Sequence, residues 1–242
     1  MKRLALLGWL CTRLAGSQPM MDVEQAICEA TNKTRQQHSA GPVTLDSVLS
    51  DVARKHSEEM LEHGYFSHSS PTAMCRSLSD RLRNDHRYCL SSAENLYKCE
   101  GYAKEQLAES AMSNWMHSGS HRQNLINGRF NRVGVGIARQ GPVVVFTQVF
   151  SYEPVIVQSL QVVPENQGFR VRLTALVADG PKQGGLFVDD RRKLNWEAGA
   201  DGTFTAELLL PKAGLLQIGQ LIGTREWSVD TEIPIPTPAS HP

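Results

Sequence analysis

The stretch Gly64-Tyr65-Phe66-Ser67-His68-Ser69-Ser70-Pro71 sets two aromatics before a lone histidine and closes with a proline. An imidazole held on such a loop can ligate a metal, act as a general base or cap a helix. Ser118, in His117-Ser118-Gly119-Ser120-His121, is a candidate hydroxyl nucleophile. No G-x-S-x-G elbow surrounds it, so nucleophilic catalysis by Ser118 lacks its usual context. The cysteines Cys28, Cys75, Cys89 and Cys99 are separated by 46, 13 and 9 residues. None forms a C-x-x-C pair, which argues against a structural zinc site. Their even number after an N-terminal leader suits an oxidising compartment. Three pairings are open, with a bridge among Cys75, Cys89 and Cys99 expected in the loop-rich stretch that holds them. Cys28, in a helical pattern, reads equally as a buried thiol.

Several elements must position these groups. Val23, Ala26, Ile27 and Ala30 recur at helical spacing between Asp22 and Gln37. Asp46 is placed to N-cap a second helix, whose face carries Leu49, Val52, Ala53, His56, Met60 and Leu61. Gly64 is placed to end that helix in the left-handed region, so "GYFSHSSP" is its exit loop. Residues 72–102 read as loop, with a short helix near Leu78–Leu82. Ala103–Met116 reads as a third helix on Leu107, Ala111, Trp115 and Met116, ended by "HSGSH". "RVGVGIARQ" and "PVVVFTQVFSY" around Gln140-Gly141-Pro142 form a β-hairpin.

Past Glu153-Pro154 the character changes. Phe169, Val171, Leu173, Ala175 and Val177 alternate with polar residues, and about six short strands follow one another with no helix between them. The expected fold class is α+β, with a mixed first part over 22–152 and a small β-sandwich over 155–235. The proline-rich 236–242 reads as a disordered tail.

Composition narrows the partners. The 242 residues are 40% hydrophobic and 21% charged, with 25 Lys+Arg against 25 Asp+Glu. That balance argues against nucleic acid as the main partner. No run approaches the ~20 apolar residues of a membrane span. Met1-Lys2-Arg3 followed by "LALLGWLC" and small residues at Ala15-Gly16-Ser17 reads as a secretory signal over 1–19.

Four segments, in order, resemble the CAP superfamily of cysteine-rich secretory, antigen-5 and pathogenesis-related-1 proteins. They are "ARKHSEEMLEHGYFSHSSP" (53–71), "SAENLY" (92–97), "NWMHSGSHRQNLI" (114–126) and "RFNRVGVGIA…VVVFTQVF" (129–150). The helix-ending pattern W-x-x-S-x-x-H-R-x-N-[IL] is similar to the bacterial branch. The resemblance covers Val23 to Ser151. It implies an α–β–α sandwich, with a three-stranded antiparallel sheet between helical layers. It also implies a cleft holding two histidines and two glutamates that can bind a divalent metal. His68 and Glu94 match the first of each. Ser118 stands at the second glutamate position and Val145 at the second histidine position, just before Phe146-Thr147-Gln148.

The resemblance thus implies a cleft lined by His68, Glu94, Ser118, His121 and Gln148. Zinc or another divalent metal is expected there only if the tips of His68, Glu94 and His121 converge to three ligands plus water. A His–Glu pair can equally orient an imidazole as a base. Each residue has a structural reading too. His68 can cap a helix, Glu94 can satisfy loop N–H groups, and His121 and Arg122 sit where cations suit a helix dipole. Trp115, Phe130 and Phe146 read as core, and His56, His63, His86 and His117 as helix-face or surface residues. Two functions follow. One is a secreted, non-catalytic protein that binds a protein, lipid or cell-surface ligand. The other is a metal-dependent hydrolase acting on peptide or cell-wall material. A third reading makes the β-sandwich the adhesive part.

Overall fold

The computed structural model describes residues 20–71, 76–89, 91–166, 168–189, 191–222 and 227–235. The leader at 1–19, Cys75 and the tail at 236–242 lie outside the described residues. Helix α1 (Met21–Gln37) buries Val23, Ile27, Thr31 and Arg35, one residue per turn. Arg35 is fully buried without a carboxylate. Its guanidinium donates to the carbonyls of Gly41 (2.7 Å), Leu125 (2.9 Å), Asn127 (3.0 Å) and Phe130 (3.0 Å), tying three chain segments together.

A two-residue strand β1 (Thr44–Leu45) leads into α2 (Ser47–Glu62). Asp46 caps α2 as expected, accepting from Val48 N (2.9 Å) and Leu49 N (3.0 Å). Gly64, at φ +66°, ends it. Tyr65 N bonds back to Met60 O (3.1 Å), which closes the last turn and starts the loop at a fixed angle. After that loop, α3 (Leu78–Asn84) opens on a reciprocal cap between Ser77 and Asp80.

The remaining elements of this part are β2 (Ser91–Glu100), α4 (Leu107–His117), α5 (Gly119–Ile126), β3 (Arg132–Gln140) and β4 (Val143–Tyr152). The sheet runs β1-β3-β4-β2, with β2, β4 and β3 antiparallel and the short β1 parallel to β3. The expected three-stranded sheet is present, with β1 added at its edge. Register sorts the side chains between two faces. Glu94, Val149 and Gly134 align across three strands, and so do Asn95, Gln148 and Val135. The first set faces α2 and α3. The second joins the core of α1, α4 and α5. Helix α2 lies directly on β3. A Cβ on Gly134 would stand 2.2 Å from the Leu49 carbonyl carbon, and one on Gly136 2.0 Å from Arg54 N. Those two glycines are the reason "RVGVG" can carry a helix.

Seven strands follow: β5 (Val155–Glu165), β6 (Gly168–Val177), β7 (Gln183–Val188), β8 (Arg191–Glu197), β9 (Thr203–Leu210), β10 (Gly214–Leu221) and β11 (Trp227–Ile235). They form two sheets, β11-β10-β7-β8 and β5-β6-β9. Leu173 and Leu208 from one sheet share a core with Leu186, Ile218 and Ile233 from the other, as in a sandwich. Trp196 of β8 stacks on Phe204 of β9 at 4.2 Å, joining the sheets. The sequence reading missed β8, since only Trp196 of its seven residues is buried and no alternation marks it. Cys28, Cys89 and Cys99 are free thiols, so the expected bridge is absent among the described cysteines. Cys28 and Cys99 sit in the apolar core.

Candidate functional site

Strand β2 is a sheet edge, and an edge leaves backbone carbonyls unpaired. The α4–α5 segment covers this one. Trp115 Nε1 donates to Leu96 O at 3.1 Å, and Asn124 Nδ2 to Glu94 O at 3.4 Å. Asn124 also donates to Asn95 Oδ1 (2.9 Å), and Asn95 to His121 O (3.2 Å). The residues of "NWMHSGSHRQNLI" therefore dock α5 against β2 and place His121 beside the Glu94 end of the strand.

The loop leaving α2 comes to the same place from the other layer. His68 Nδ1 donates to Glu94 Oε1 at 2.9 Å, and Arg81 Nη2 of α3 donates to Glu94 Oε2 at 2.5 Å. Arg81 Nη1 reaches back to His68 O at 3.2 Å, closing a ring of three residues. Glu94 and Arg81 are buried, whereas the His68 side chain is 60% exposed. Behind them His56 is fully buried. Its Nε2 donates to Ser67 O (3.0 Å) and lies 4.0 Å from Glu94 Oε1. Tyr65 donates to His56 Nδ1 at 3.4 Å, and Ser70 to Glu59. The loop is thus pinned at Tyr65, Ser67, His68 and Ser70, and Phe66 remains 47% exposed.

The charges follow from these contacts. The hydrogen bond to Glu94 raises the His68 pKa above its ordinary value, outweighing partial burial. Burial lowers that of His56, keeping it neutral with Nδ1 as acceptor. Burial also lowers that of His121, and the charge on His68 lowers it further. His121 is thus close enough to His68 to feel it, and no group among the described residues hydrogen-bonds its buried Nδ1. Burial, then the Glu59 carboxylate, pushes the Tyr65 phenol up to about 12, so it stays a donor.

Five residues were expected in one cleft. His68 and Glu94 are in contact, with His121 alongside. Gln148 does not reach it. Strand alternation turns it to the opposite face, where it is fully buried, donates to Thr31 Oγ1 (2.9 Å) and accepts from Asn95 (3.1 Å). Ser118 lies at the α4–α5 junction, 3.4 Å from Ser120 Oγ, and its carbonyl accepts from Arg122 N. Sequence reasoning passed over Arg81 and left His56 as a helix-face residue. The one available signal was the place of His56 in the buried stripe of α2.

The side chains do not fit a metal centre. Both oxygens of Glu94 are taken, one by a guanidinium that already supplies the positive charge. The His68 nitrogen facing Glu94 carries its proton, so only Nε2 is left as a donor to a metal, and one imidazole nitrogen is not a site. Val145, at the second histidine position, is packed with Met60 and Leu96. Among the described residues no three His, Cys, Asp or Glu side chains converge as a metal requires.

Residues 28–150 match the family model described as "CAP: Cysteine-rich secretory protein family". Two proteins of Bacillus subtilis are similar to about half of the chain. The uncharacterized protein YkwD is 32% identical over 52% of this chain and 46% of its own length. The uncharacterized membrane protein YlbC is 33% identical over 48% of this chain and 32% of its own. The chain therefore spans less than half the length of these curated relatives. An extracellular protein of Bacillus anthracis containing an SCP domain has a crystal structure similar at TM-score 0.48. It shows 31% identity, over 55% of this chain and 41% of that one. With the family model spanning half of its residues, the chain belongs to the CAP, or cysteine-rich secretory protein, family.

Proposed function

We propose that this is an extracellular, non-catalytic binding protein whose cleft at the β2 edge receives a ligand or partner. One observation carries the reading: the buried Glu94 carboxylate is engaged on both oxygens, by His68 and by Arg81. Each oxygen keeps a further lone pair, but the two donors hold the carboxylate in one place and partly compensate its charge, and so it acts as a fixed anchor. The groups it presents outward are the exposed edge of His68 and, beside it, the exposed ring of Phe66. An apolar surface next to a polar imidazole suits recognition of a partner surface better than bond cleavage. The extracellular assignment rests on the leader pattern at 1–19, since the three described cysteines are free.

A second reading has its own observation. A buried carboxylate orienting an exposed imidazole is also the arrangement of a general base. Calorimetric titration with zinc separates a metal-dependent hydrolase from the binding protein. The wild type, His68→Ala and His121→Ala are expected to bind zinc weakly and alike. Tight 1:1 binding lost in both variants would overturn the proposal.

A further inference from the structure

A cavity of about 600 Å³ lies away from His68. One wall belongs to the CAP domain: Ser79 and Arg83 of α3, and Ser92 at the start of β2. The other belongs to the C-terminal sheet: Leu215 of β10, with Glu232 and Pro234 of β11. Its volume is in the range that takes small organic ligands, and junctions between domains are where such sites concentrate.

The charges on the two walls are of opposite sign. The neighbours of Arg83 are both neutralised, Arg81 by Glu94 and Arg87 by Asp46 and Glu153. Arg83 is exposed and makes no salt bridge among the described residues, with Asp80, one turn earlier, the carboxylate that feels its charge. Glu232, on the facing wall, accepts from Gln217 Nε2 at 3.0 Å and has no cation partner among the described residues. The two do not pair with each other. The cavity therefore keeps an unpaired cation on one side and an unpaired anion on the other. Leu215 and Pro234 supply apolar surface to the same cavity.

We propose that this junction is a binding site for a short peptide with free termini. Arg83 takes the carboxylate through the planar fork that suits it. Glu232 takes the ammonium, and the apolar residues take the side chains. A single amino acid would leave most of the volume unfilled, and an anion alone would face Glu232 uncompensated. The site shares no residue with the His68 cleft and does not depend on its function.

The test is calorimetric titration of the full chain with trialanine, N-acetyl-trialanine and trialanine amide. Wild type is expected to bind trialanine, with blocking of either terminus costing about tenfold, the worth of one charge-assisted hydrogen bond. Arg83→Gln should remove the preference for the free carboxylate and keep that for the free amine. Glu232→Gln should do the reverse, and His68→Ala should change neither. Both substituted side chains are exposed, so folding is retained. Equal binding of all three peptides, no heat with trialanine, or an unchanged ranking in both variants would overturn the proposal. Tighter binding of inorganic phosphate than of trialanine would overturn it as well, and mark a simple anion site.

Discussion

Glu94→Gln tests whether the Glu94 ring holds the domain together. The substitution keeps the shape of the side chain and removes its charge. Arg81, with its side chain only 6% exposed, is then left buried with carbonyls as its acceptors. Removing one partner of a buried pair typically costs about 3–5 kcal/mol, because the other charge stays desolvated and uncompensated. The amide oxygen still accepts one hydrogen bond, so the expected cost is at the lower end, about 3 kcal/mol. At this chain length that corresponds to a fall in Tm of about 6–12 °C. Asp22→Asn is the control: its pair with Lys104 has both side chains about half exposed or more, so its loss should leave the unfolding midpoint close to that of the wild type.

The assay is urea unfolding of both variants, with a pH series. The folded-state pKa of His68 is raised, so its contact with Glu94 stabilises fully below about 6.5 and fades as pH climbs through the raised value. Glu94→Gln should remove that slope and return the His68 pKa, read by NMR, toward its ordinary value. A Glu94→Gln protein within about 1 kcal/mol of wild type refutes the reasoning.

Two further outcomes are expected. Gly136→Ala forces a Cβ to within 2.0 Å of the α2 backbone and should destabilise by about 1–3 kcal/mol or more, whereas Gly128→Ala, with open space around it, should be near neutral in the same denaturation assay. The boundary at Glu153–Val155 is proposed as a rigid junction: Glu153 is tied to Arg87, Ser151 and Asn131, Val155 enters the β core, and both are 1% exposed. Mass spectrometry of a limited digest of the full chain should therefore find no early cut there, and a chain ending at Glu153 should unfold cooperatively, more stably than one ending at Ser151.

Much of the architecture was legible because it is local. The stripe on α2, its Asp46 cap, Gly64, the hairpin and the alternation of β6 each follow from residues a few positions apart. Strand β2 was visible only through the family resemblance. It lies at a sheet edge, where Glu94 and Asn95 are recruited as contacts, so its polar residues fall on both faces and hide the period of two. Helix α5 was hidden for a related reason: Leu125 is its one buried residue, and polar contacts from Asn124 and His121 dock it.

The sequence by itself determined that His68 leaves a capped helix on a short loop; it was the family resemblance that set Glu94 and His121 beside it and marked Val145 and Ser118 as replacing two expected ligands. Only the tertiary structure decided what Glu94 does. Its partners His68 and Arg81 lie 26 and 13 residues away, on a loop and a helix that meet only after α2 has settled on Gly134 and Gly136. Periodicity reports which face of an element is buried. It cannot report which charge from another element will be buried against it, since that depends on the packing of layers. That packing put a guanidinium rather than open space against Glu94, and turned Gln148 away from the cleft.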